Sequence, residues 1–178
     1  MSEFINYSFF DLDSLKTSFL EDKLIIGKEF KRIIVIGVGG SSQGSKAING
    51  FLNEGRVEYF DHLNHNLINK ALEKGLDETG FIFISKSGKT SETLTIFDYL
   101  ISCLKNKIDI SKHFFTLTEH KSSPLHDLSV HHSIKIIEHK KDIVGRFSIF
   151  SNISLIPGFY FNEQLIDQFF EGAKKGLT

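Results

Sequence analysis

Continuous apolar runs alternate along the chain with stretches in which apolar residues recur every three or four positions. Ile33-Ile34-Val35-Ile36 and Phe81-Ile82-Phe83-Ile84 are uninterrupted, the pattern of strands buried on both faces. They predict strands over 32–37 and 81–84, with further strands over 56–60, 113–117 and 133–137. Leu12, Leu15, Phe19 and Leu20 predict a leading helix over 11–23, capped by Asp11 or Asp13 and packed beside the sheet. A second helix follows from Ser41 or Ser42 to 52. A third spans 64–74, with Leu67, Ile68, Ala71 and Leu72 on one side and Gly75 closing it. A long helix continues from the loop Ser85–Thr93 to 105, and a short helix or turn lies over 122–128 around Pro124. Ile149, Phe150, Ile153 and Ile156 predict a helix ended by Pro157-Gly158, and a final amphipathic helix covers 165–175. Residues 1–10 read as irregular. Strands and helices alternating at this spacing predict the α/β class: a five-stranded parallel sheet with helices on both faces.

Two strand ends carry candidate chemistry. After the first strand comes Gly37-Val38-Gly39-Gly40-Ser41-Ser42, where glycines let a ligand approach the backbone. The helix that follows turns its N–H groups and positive dipole end into the same space, which suits an anion such as phosphate. Two other readings stand beside this one: a tight turn without a ligand, and a dinucleotide site. The dinucleotide fingerprint requires Gly where Ser42 stands, although Glu58 and Asp61 lie where a ribose-binding acid is expected. After the third strand come Ser85, Lys86, Ser87, Lys89, Thr90, Ser91 and Thr93, small hydroxyls and cations at a strand's carboxyl end. This is not a P-loop, because Phe83 occupies the position of its first glycine.

Composition narrows the field. The 178 residues suffice for one domain with a full core, and a net charge of −1 gives no reason to expect nucleic-acid or membrane-surface binding. The lone Cys103 sits in an apolar helical run and is expected to be a buried structural thiol. No apolar run reaches the ~20 residues that span a bilayer, and Met1-Ser2-Glu3-Phe4 does not open a secretory signal, so a cytoplasmic protein is expected. The 18 phenylalanines read as core composition. His62, His65, His131 and His132 lack the supporting ligands of a metal site and are expected in loops or at strand edges.

Taken together, Gly37-Val38-Gly39-Gly40-Ser41, Ile84-Ser85-Lys86-Ser87-Gly88-Lys89-Thr90-Ser91-Glu92-Thr93 and Val144-Gly145-Arg146-Phe147-Ser148 resemble the phosphoglucose isomerase family. The first two motifs mark the wider sugar isomerase (SIS) fold, and the third, with its arginine, narrows the match. The family usually has Leu where Gln43 stands, a Thr or Phe-Thr pair near Lys89, and a second Gly at Val144. The resemblance implies a three-layer, flavodoxin-like doubly wound fold, with 1–30 as a leading helical segment and 31–178 as the first of two SIS domains. It implies aldose–ketose isomerisation of glucose 6-phosphate and fructose 6-phosphate, without metal or organic cofactor, in a homodimer. Ser41, Ser85, Ser87 and Thr90 match positions that hold the sugar phosphate, and Lys86 lies in the same cradle. Gly40 and Gly145 match positions where backbone nears substrate, and Arg146 matches the arginine that stabilises the enediolate. The catalytic Glu, the ring-opening His and a further Lys belong to the second half of the family pattern. Among carboxylates here, Glu92 reads as a helix-dipole partner, and Glu138 and Asp142 are weak candidates for a base. A stand-alone SIS module that senses a sugar phosphate is the alternative function. The last helix, with Leu165, Ile166, Phe169 and Phe170, is a candidate partner surface.

Overall fold

The protein is described here from a computed structural model covering residues 11–27, 29–73 and 75–177, so the irregular reading of 1–10 lies outside the described residues. Five parallel strands form one sheet in the order β2-β1-β3-β4-β5. They are β1 (Arg32–Ile36), β2 (Val57–Phe60), β3 (Thr79–Ile84), β4 (Phe114–Thr118) and β5 (Lys135–Glu138). The helices are α1 (Leu12–Ile26), α2 (Gly40–Phe51), α3 (His65–Leu72), α4 (Ser91–Leu104), α5 (Ile110–His113), α6 (Pro124–His131), α7 (Asn152–Phe159) and α8 (Ile166–Gly176).

Alternation along each strand divides the core into two halves. Ile33, Val35, Ile82, Ile84, Phe115 and Leu117 face one layer, with Leu15 and Phe19 of α1, Ile48 of α2, Ile153 and Phe159 of α7, and Phe170 of α8. Ile34, Ile36, Phe81, Phe83 and Phe114 face the other, with Ile68 of α3, Phe97 and Leu100 of α4, and Leu125 of α6. That is the expected three-layer sandwich, and α1 does pack beside the sheet. The phenylalanines serve the core. Phe83 lies 4.8 Å from Phe97 and 5.0 Å from Phe114, centroid to centroid, in tilted and edge-on pairs that aromatic quadrupoles favour.

Local signals set most boundaries. Asp11 caps α1 through the Ser14 N–H at 3.2 Å, and Asn64 caps α3 through the Leu67 N–H at 3.0 Å. Gly75 takes left-handed φ (+61°) just beyond α3. Pro157-Gly158 does not end its helix as expected. Both residues lie inside α7, where every residue is buried, and tight packing on α2 outweighs the lost proline hydrogen bond. Gly158 is a contact point there: a methyl at this position would meet the Ile48 side chain at 3.0 Å. The one-turn helix α5 was not predicted. Cys103 is half-buried against the second core layer and is not the fully buried thiol expected.

Candidate functional site

Strand order places a crevice. β1 and β3 are neighbours, yet the helix after β1 covers one face of the sheet and the helix after β3 covers the other. Such a switch point opens a cleft outside the carboxyl ends of the two strands. The two sequence motifs border it. A methyl on Gly37 would lie 3.1 Å from both the Ile84 carbonyl and the Ser41 Cβ, so the glycine turn and the β3 loop share a wall. Gly39 precedes α2 with φ +58°, a conformation that favours glycine, and no side chain caps that helix.

The β3 loop gathers the predicted hydroxyls. Ser85 is buried at the strand end, and its Oγ is 2.8 Å from the Thr90 Oγ1. Thr90 stands at the N-cap of α4 with its hydroxyl directed to Ser85, and no side chain caps the first amides of α4. Ser87 is exposed, and its Oγ accepts from the Lys89 N–H at 3.2 Å. A 14-residue helix thus presents its positive end beside three small hydroxyls. Glu92 lies in the first turn of α4, where hydrogen bonds from its own backbone and from Ser91 lower its pKa. A carboxylate stabilised in its charged form suits a dipole partner better than a base.

The third motif closes against the first. Gly145–Phe147 form a 3-10 turn whose backbone touches Gly40: a methyl on Gly40 would fall 2.5 Å from the Gly145 carbonyl carbon. Ser148, buried to 1% exposure, donates toward the Gly40 carbonyl at 3.2 Å and the Gly145 carbonyl at 2.5 Å. The sequence signals this role of Ser148 only through its place next to Gly-Arg-Phe. Arg146 is exposed, its guanidinium 5.2 Å from the centre of the Phe147 ring.

Lys86 is placed differently from the cradle hydroxyls. Its backbone belongs to the β3 loop, where the Lys86 carbonyl accepts from the Glu119 N–H at 3.2 Å. Its ammonium donates to the carbonyls of Lys141 at 2.5 Å and Ile143 at 2.9 Å, with the Glu119 carboxylate 3.8 Å away. Hydrogen bonding to Lys121 lowers the Glu119 pKa first, and the charge of Lys86 adds to the effect.

The remaining candidates lie elsewhere. Glu58 pairs with Arg32 at 3.3 Å, and Asp61 pairs with Lys46, so both acids of the dinucleotide reading are engaged within the fold. Glu138 is exposed at the end of β5, 3.9 Å from His120, and Asp142 is exposed in the turn after it. Among the described residues, no group of three or more His, Cys, Asp or Glu is arranged to hold a metal ion. None of the described helices is long and apolar enough to cross a membrane. In α8, Ile166 and Phe170 are turned into the core, whereas Phe169, with Leu165 just before the helix, lines a groove of about 560 Å³ between α2 and α8.

The chain is similar to known proteins over most of its length. The family model for phosphoglucose isomerase matches residues 19–176. The glucose-6-phosphate isomerase of Campylobacter jejuni is 34% identical over 145 residues, covering 78% of this chain and 35% of its own length. That of Thermus thermophilus is 33% identical, covering 80% of this chain and 35% of its own. The crystal structure of a hypothetical protein from Thermus thermophilus superposes with a TM-score of 0.84 at 29% identity, over 94% of this chain and 42% of that one. The chain therefore spans about a third of the length of these curated relatives. Over the matched span, the chain belongs to the phosphoglucose isomerase family.

Proposed function

We propose that this chain is the amino-terminal SIS domain of a glucose-6-phosphate isomerase and supplies the sugar-phosphate cradle and the enediolate-stabilising arginine. The observation that carries the reading is the uncapped N-terminus of α4 beside Ser85, Ser87 and Thr90, at the switch point between β1 and β3. Amides and hydroxyls donate to a phosphate dianion there, and the helix dipole adds favourable charge. The glycine turn with Ser41 forms the second wall. The compact contact of Gly40 with Gly145 brings the Arg146 turn to the same cleft.

The chemistry fits these groups. Moving a sugar carbonyl from C1 to C2 takes a proton from C2 and returns it at C1 through an enediolate. A guanidinium stabilises that oxyanion while keeping its own protons. Proton transfer requires a base, normally a carboxylate; Glu92 is held in its charged form in the first turn of α4, and Glu138 and Asp142 are exposed on the β5 side. The base, the ring-opening His and the further Lys come from the rest of the longer isomerase polypeptide. The whole enzyme acts in glycolysis and gluconeogenesis, in the cytoplasm, as a homodimer.

The test is a calorimetric titration with fructose 6-phosphate, repeated on Ser87→Ala, with a coupled isomerase assay on the same sample. Binding that weakens in Ser87→Ala, without turnover, supports the reading. Unaltered affinity in the variant overturns the cradle. Turnover by the 178-residue chain contradicts the assignment of the base to another segment.

A further inference from the structure

We infer that the Lys86 ammonium is a positioning group for Arg146, tethering the segment that carries it, and that it is not a ligand of the substrate phosphate. The inference rests on the reading of Arg146 as the enediolate-stabilising residue. An ammonium has three donors. In Lys86 two are spent on the carbonyls of Lys141 and Ile143, and the Glu119 carboxylate lies on a third side at 3.8 Å. Glu119 is 8% exposed, so this ion pair is shielded from water more than a surface pair is. The anchored carbonyls lie just ahead of the 3-10 turn Gly145–Phe147, with Val144 alone between Ile143 and Gly145. Ile143 itself is fully buried.

The turn is thus gripped at both ends. Lys86 holds its entry, and at its exit the single Ser148 hydroxyl proton is shared between the Gly145 carbonyl at 2.5 Å and the Gly40 carbonyl at 3.2 Å. Between the two anchors Arg146 is exposed, and its contact with the adjacent Phe147 ring is too local to fix its backbone. Lys86 also joins the two halves of the site through the chain. One residue puts its backbone in the phosphate loop and its side chain on the arginine turn. Phosphate capture by the loop and placement of the guanidinium are thereby coupled through a single side chain.

The experiment compares wild type, Lys86→Met, Lys86→Arg and Arg146→Ala for two ligands, inorganic phosphate and a hydroxamate analogue of the enediolate carrying the same phosphate. Hydrogen exchange is followed without ligand at the Ile143 amide, bonded to the Lys140 carbonyl in the tethered segment, and at the Phe147 and Ser148 amides, bonded within the turn to Val144 and Gly145. Lys86→Met is expected to leave phosphate affinity within about twofold, to weaken the hydroxamate about 10- to 100-fold, and to speed exchange at the three amides. Lys86→Arg, which keeps donors on a long stem, restores part of each. In the Arg146→Ala background, Lys86→Met has no further effect on hydroxamate affinity. Equal loss of both ligands would make Lys86 a direct phosphate ligand and overturn the inference. Unchanged exchange in Lys86→Met also overturns it. If wild type binds neither ligand, the functional reading fails, and the exchange rates still decide whether Lys86 holds the turn.

Discussion

Replacing Gly40 by Ala tests the closest backbone contact in the site. The added Cβ would fall 2.5 Å from the Gly145 carbonyl carbon and 2.8 Å from its Cα and O. Carbon atoms prefer separations of about 3.5–4.0 Å, so the two turns must part by about 1 Å. Neither yields freely: Gly40 begins α2, and the Ser148 hydroxyl lies between the two carbonyls, 2.5 Å from that of Gly145 and 3.2 Å from that of Gly40. Overpacking of this kind costs about 1–3 kcal/mol. For a domain of this size that lowers the melting temperature by about 2–12 °C. Two companions calibrate the result. Gly145→Ala brings its Cβ only to 3.3 Å from Gly40 Cα and costs less. Gly50→Ala, exposed in α2 with nothing within 4 Å, stabilises by about 0.5–1 kcal/mol through backbone entropy. Urea and thermal denaturation of the three variants give the comparison. A Gly40→Ala variant as stable as wild type, or less affected than Gly145→Ala, would refute the contact.

Three further outcomes follow from burial and charge. His139 is 2% exposed, and burial lowers its pKa from 6.5, so the unfolded chain takes up a proton that the folded chain refuses. Stability is therefore expected to fall as pH drops below about 6.5, and urea midpoints from pH 7.5 to 5.5 should fall less in His139→Gln; parallel profiles would count against it. Glu54 accepts from Arg56 at 2.8 and 2.6 Å and from Asn162 at 3.0 Å, and the Arg56 bonds lead in lowering its pKa from 4.5 to about 2. Its contribution is present above pH 4.5 and lost as pH falls through about 2, so Glu54→Gln should be the less stable form at neutral pH and match wild type near pH 2. Phe83, fully buried between Phe97 and Phe114, should cost about 3–5 kcal/mol when cut to Ala, measured by urea denaturation; a loss under 1 kcal/mol would mean the layer collapses around the gap.

The fold was legible wherever burial alone sets the pattern. Ile33–Ile36 and Phe81–Ile84 are apolar throughout because helices cover both faces of the central strands. The sequence pattern starts β5 two residues early because β5 is an edge strand, with Lys135 and Glu138 exposed, and its pattern is diluted. A glycine after proline signals a helix stop locally, and Gly158 carries that signal. Its use as a crossing point between α7 and α2 depends on Ile48, far away in sequence. The hydroxyls of the β3 loop could be read from residue type and position. The direction of the Lys86 side chain could not, because its acceptors at Lys141 and Ile143 are backbone carbonyls, which every residue possesses. Ser148 stayed hidden for the same reason.

Binding of a sugar phosphate in the cleft between β1 and β3 underlies the proposed function. Amide chemical shifts recorded during titration with fructose 6-phosphate test it most directly. The largest changes are expected at Gly39–Ser42 and Ser85–Thr93, with smaller ones at Gly145–Ser148. Changes centred instead on the groove lined by Ile48, Leu52 and Phe169, or none at saturating ligand, would contradict it.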